Sequence, residues 1–84
     1  PNTFINNVHL SEIEAWMENG SIHVLNQSGN SLKVFNISGQ MVYFTKIQSD
    51  IEIFYPKLKQ RIYLLEITGN NYIACKKTIN TDKN

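Results

Sequence analysis

Residues 21–39 read SIHVLNQSGNSLKVFNISG. Two runs rich in aliphatic residues each close on a Ser-Gly pair, and Gln40-Met41-Val42-Tyr43 opens a third run. The motif returns at about ten-residue spacing, which is the rhythm of short β-strands joined by tight turns. Within each run the large side chains alternate. Ile22 and Val24 oppose His23 and Leu25; Leu32 and Val34 oppose Lys33 and Phe35; Met41, Tyr43 and Thr45 oppose Val42, Phe44 and Lys46. A period of two puts alternate residues on opposite faces of a sheet.

The pattern extends in both directions. Downstream, Ile51, Ile53 and Tyr55 alternate with Glu52 and Phe54, and Pro56 ends that run because it has no N–H to donate. Tyr63, Leu65 and Ile67 form the more apolar face of the next run, against Ile62, Leu64 and Glu66. Tyr72, Ala74 and Lys76 alternate with Ile73, Cys75 and Lys77 in the last. Asn19-Gly20, Gly29-Asn30 and Gly69-Asn70-Asn71 supply turn residues that tolerate positive φ. Upstream, LSEIEAWMENG has two readings. Ser11 and Glu14 would make the capping box of a helix ended by Gly20. As a strand, Ile13, Ala15 and Met17 share one face and Glu12, Glu14, Trp16 and Glu18 the other. The strand is preferred because everything after it is β.

Seven runs in 84 residues, with turns every 8–12 residues, predict an all-β fold, an Ig-like antiparallel two-sheet β-sandwich of about seven strands. Residues 1–11 read as an N-terminal extension or linker, 12–80 as the sandwich, and 81–84 as a frayed tail.

Composition narrows the function. One domain of this size buries about 60–65% of its unfolded surface. Eight Lys and Arg against seven Asp and Glu give a net charge of +1, without the concentrated basic face of a nucleic-acid binder. Aromatic residues interleave sparsely with the basic ones, which disfavours single-stranded nucleic acid as a partner. No apolar run approaches the ~20 residues of a membrane-spanning helix, and PNTFINN has neither the basic start nor the apolar stretch of a signal peptide. The chain reads as a piece of a longer protein or as a mature form. Its single cysteine, Cys75, has no internal disulfide partner and reads as a packed or half-buried strand thiol.

Chemistry-bearing patterns are sparse. His9 and His23 are fourteen residues apart in the chain, with no Cys or carboxylate at ligand spacing, so no metal site is expected. Ser and Glu occur in no constellation that pairs a nucleophile with an oriented base. The sequence is that of a non-enzyme without cofactors. Trp16, on a face with Glu12, Glu14 and Glu18, covers a core edge or stacks on a sugar ring. Lys57, Lys59 and Arg61 form a small basic group after Pro56, either a solvated loop or a contact for an acidic surface. The sequons at Asn19, Asn26 and Asn36 follow from the abundance of Asn and Ser in turns.

The order SLKVFNISGQMVY, then RIYLLEI, then ACKKTIN resembles the C-terminal domains of secreted and surface proteins of Bacteroidetes, including the type IX secretion sorting domain and its sister families. Leu32, Val34, Phe35, Gly39, Gln40 and Val42 match the first part of that pattern; Ile62, Tyr63 and Leu64 the second; Lys76, Lys77 and Ile79 the third. Arg61 stands where the pattern has Gly, and the usual opening Pro-Asn-Pro is absent from this sequence. The resemblance implies an extracytoplasmic, non-catalytic C-terminal accessory domain used for sorting or anchoring. Its partners would be the upstream domain of the same polypeptide or the export and attachment machinery. Lys76, Lys77 and Arg61 are the candidate partner contacts, and an edge-strand homodimer is a further association that open strand edges allow. Two alternatives stand beside it: a carbohydrate-binding or adhesin-type module using Trp16, and a structural spacer packing on an upstream enzyme domain, which a large exposed apolar patch would favour.

Overall fold

A computed structural model describes residues 8–10, 14–70 and 72–81, with backbone alone for 8–10. Every regular element among them is a strand: β1 (Val8–Leu10), β2 (Ala15–Glu18), β3 (Ser21–Leu25), β4 (Ser31–Phe35), β5 (Met41–Lys46), β6 (Ile51–Phe54), β7 (Ile62–Gly69) and β8 (Tyr72–Ile79). They form a five-stranded sheet, β1-β8-β7-β4-β5, and a three-stranded sheet, β2-β3-β6. The fold is the expected all-β sandwich, with one strand more than hydrophobic alternation reveals. That strand, β1, lies inside the stretch read as an extension. It pairs parallel to β8, Val8 opposite Ile73 and Leu10 opposite Cys75, whereas every other pairing between these strands is antiparallel. Three residues are too few to show a period, and a parallel partner sixty-odd positions away leaves no local mark. The run 14–18 is strand, not helix; residues 11–13 lie outside the described residues.

The inward faces are those of the alternation. Ala15, Met17, Ile22 and Val24 from the small sheet meet Leu32, Val34, Tyr63, Leu65, Ile67 and Ala74 from the large one, all buried. Burying an aliphatic side chain contributes about 1.5–3 kcal/mol, so these contacts drive the collapse. Tyr43 and Phe54 meet across the two sheets at a centroid distance of 6.3 Å. Ile47, just past β5, is also buried. Tyr63 brings a hydroxyl into the core, and its oxygen accepts from the Gln60 N–H at 2.8 Å. A tyrosine near a strand start that bonds back to upstream backbone is a recurring corner of Ig-like sandwiches.

Two turns show why their glycines are needed. Asn19 and Gly20 both have positive φ, 57° and 80°, the conformation of a two-residue hairpin turn. A Cβ on Gly20 would also lie 2.8 Å from the Leu58 carbonyl oxygen. At the β4–β5 turn the Asn36 side-chain oxygen accepts from Ser38 and Gln40 N–H, each at 3.0 Å, and Gly39 takes φ 87°.

One side of the sandwich is stitched shut. The Lys76 ammonium crosses from β8 to donate to the Ala15 carbonyl on β2 at 2.7 Å. The Thr81 hydroxyl donates to Met17 O at 3.5 Å, and Asn19 N–H donates to Thr81 O. Thr81, read as the first residue of a tail, also bridges Glu18 in a parallel sense. Asn80 ties three segments: its Oδ1 accepts from Gly20 N–H at 2.7 Å, and its Nδ2 donates to Leu58 O at 3.0 Å and Gln60 O at 2.9 Å. Asn80→Ala strands two partly buried backbone groups, Gly20 N–H and Leu58 O, so urea unfolding should show a loss of about 2–3 kcal/mol. Asn36→Ala, whose bonds face solvent, should cost about 1 kcal/mol or less.

Candidate contact surface

The dibasic pair Lys76-Lys77 is divided by the strand period. On β8, Ala74, Lys76 and Thr78 lie on the core side, opposite Ile67, Leu65 and Tyr63 of β7. Lys76 is therefore half-buried and committed to Ala15 O. Lys77 turns outward and is exposed. It lines a groove of about 480 Å³ on the outer face of the five-stranded sheet, with Phe35, Ile37, Ile62 and Leu64 as apolar walls and Glu66 also in the lining. Register explains the grouping: Leu64 pairs with Phe35 on one side and Lys77 on the other.

Arg61 enters β7 one residue before Ile62, so it opens onto a second, more polar cleft of about 340 Å³, shared with Lys59, Gln60, Asn80 and the Asn19–Gly20 turn. Its carbonyl oxygen accepts from Asn80 N–H at 2.6 Å, while its guanidinium is exposed. Of the three sequence candidates for partner contact, the structure thus brings Arg61 and Lys77 to one end of the sandwich and turns Lys76 inward. Lys57 and Lys59 are exposed at the same end.

Trp16 lies elsewhere, on the outer face of the three-stranded sheet, and is 41% exposed. Its register partner His23 stacks on it with ring centroids 5.0 Å apart and planes 8° from parallel. The His23 Nε2 is 3.7 Å from Glu18 Oε1. Ile53 extends the same cross-strand row, and Ile51 and Tyr55 stand beside it at 76% and 68% exposure. This face is apolar where a free-standing sandwich would be polar.

Among the described residues no three His, Cys, Asp or Glu side chains approach closely enough to hold a metal ion. His9 is on β1, whose side chains are outside the described residues. Cys75 is half-buried on the outer face of β8, opposite Glu66. Desolvation first, and the Glu66 carboxylate second, push its thiol pKa up. Both effects penalise the thiolate, which is the reactive form.

The groove was partly legible: the alternation of β7 already put Ile62 and Leu64 on the non-core face. The role of Asn80 was not, because its partners are twenty to sixty residues away in the chain.

Two outcomes follow from this geometry. Cys75 should react with a disulfide reagent more slowly than a free thiol at pH 8, the rate rising only above the ordinary thiol range; a rate equal to that of glutathione would contradict the arrangement. Removing the stacked ring in His23→Ala should shift Trp16 emission and accessibility to acrylamide, whereas Lys77→Ala should leave both unchanged.

The outside comparisons agree with this architecture. The sequence profile described as "Secretion system C-terminal sorting domain" matches residues 1–81. A search of curated proteins found no match. Among solved structures, the chain is similar to one described as "Biofilm associated protein - BSP domain", with a TM-score of 0.57 and 13% sequence identity over 80% of this chain. It spans 13% of the length of that neighbour, and the likeness is one of fold. With almost its whole length accounted for by one family and its strands arranged as that resemblance implied, this chain belongs to the secretion system C-terminal sorting domain family.

Proposed function

We propose that the chain is the non-catalytic C-terminal sorting domain of a larger extracytoplasmic protein, either secreted, held at the cell surface or periplasmic. It folds as an independent sandwich and offers a surface to the export or attachment machinery. The observation that carries this reading is the split of the dibasic pair: Lys76 closes the sandwich, and Lys77 is left uncommitted at the rim of an apolar groove. Arg61 adds a second exposed cation at the same end. A charge that does no structural work, beside exposed apolar side chains, is what recognition uses: the apolar contact supplies affinity and the charge sets orientation.

Removing the last strand does not test this reading. β8 lies inside the five-stranded sheet, between β1 and β7, so deleting residues 73–84 would unfold the domain. Surface substitutions separate the two effects. Lys77→Glu with Arg61→Glu should keep the far-UV circular dichroism of the wild type and leave the attached protein inside the cell. Export as efficient as wild type, both for this variant and after exchange of the whole domain for an unrelated sandwich, would remove the sorting role.

A second reading is favoured by a separate observation, the exposed apolar face of Trp16, Ile51, Ile53 and Tyr55. Such a face suits a domain that packs on its upstream neighbour. Polar substitution of Trp16 and Ile53 should then loosen the full-length protein to limited proteolysis at the junction, without altering export. The carbohydrate-binding reading is supported less: His23 covers one face of the indole, leaving a single face for a sugar ring.

A further inference from the structure

The ends of the sandwich carry opposite charge, which a net value of +1 conceals. At the end formed by the Asn19–Gly20 turn, the 55–61 loop and Asn80 stand Lys57, Lys59, Arg61 and Lys77. No side chain among the described residues pairs with any of the four. Among the described residues the nearby carboxylates are Glu18, close to His23, and Glu66, which shares the lining of the groove with Lys77. At the other end, where Asn26 N–H donates to Asp50 O and Glu14 bonds the Asn26 side chain, stand Glu14, Asp50 and Glu52. Glu52 is fixed by Gln48 and Ser49 N–H, and Lys46 is the cation of that end among the described residues.

Each charged end also exposes apolar surface. Ile51, 76% exposed, sits between Asp50 and Glu52; the groove walled by Phe35, Ile37, Ile62 and Leu64 sits beside Lys77. Both halves of a complementary pair are thus on one chain. Three of the four strand edges offer a poorer contact. The outer edge of β2 is occupied by Lys76 and Thr81, β6 carries Glu52 opposite the buried Val24 and runs into Pro56, and the β5 pairing is irregular at Val34/Phe35. Inward charges, proline and bulges are the devices that blunt an edge.

We propose that the chain associates with a second copy head to tail, the basic end and groove of one receiving the acidic end and Ile51 of the next. Such a contact uses different patches on the two partners and leaves a free basic and a free acidic end, so it propagates into strings rather than closing as a two-fold dimer. Exposed charges make it weak and sensitive to salt.

Sedimentation velocity of the 84-residue chain tests it. At ~20 mM salt the sedimentation coefficient should rise with concentration, and ~500 mM salt should weaken association about tenfold or more. Lys77→Glu with Arg61→Glu should sediment as a monomer, and so should Asp50→Lys with Glu14→Lys. An equimolar mixture of the two variants should regain association, because each altered end then meets an altered partner and each native end a native one. Circular dichroism of both variants establishes that they are folded. A wild-type chain that stays monomeric to ~1 mM in low salt, association that survives high salt or either double variant, or a mixture that stays monomeric would overturn the proposal. Survival would place the contact on the Trp16–Ile53 face instead.

Discussion

The structure depends on the closure of one side by its last strand. Two sheets facing each other across an apolar core are held by surface burial, which is strong but has no direction. Direction comes from a few polar links between sheets. Lys76 reaches Ala15 O, Thr81 pairs with the end of β2, and Asn80 joins the Asn19–Gly20 turn to the 57–61 loop. The lysine has a second effect. A strand at the border of a small sheet offers unpaired carbonyls to any passing chain, and here the protein's own ammonium and hydroxyl groups fill them.

That closure also organises the surface. Because β8 alternates, the residue that must point inward to make the link forces its neighbour outward. Lys77 arrives beside Leu64 and Phe35 by register alone. A lysine bonded across the sandwich and an exposed one are therefore adjacent in sequence and opposite in direction. Chemically similar residues at 76 and 77 are not interchangeable, since one is committed to a backbone acceptor and the other stands in solvent.

Much of this was legible in the chain. Alternation located seven strands and singled out Tyr63, Leu65 and Ile67 as an inward face, and Asn19-Gly20 and Ser38-Gly39 marked two hairpins. The order of three short motifs indicated the family. What stayed hidden was what depends on distant partners. β1 is too short for its period to register and pairs in parallel with a remote strand. Ile47 follows a strand yet is buried, because its backbone stays bonded to Gly29 and Asn30 and keeps its side chain on the core. Asn80 looks like one more polar residue near an end. The dibasic pair read as a single contact unit because composition carries no facing; only the register of β8 divides it.

The position of β8 between β1 and β7 has a consequence for biosynthesis. The groove that Lys77 borders is walled by residues from β4 and β7, so it stays unfinished until the ribosome has delivered the final strand and that strand has slotted into place. A polypeptide released early would carry most of the domain's letters without its recognisable shape. Until the final strand pairs with β7, the surface around Leu64 lacks its cationic border.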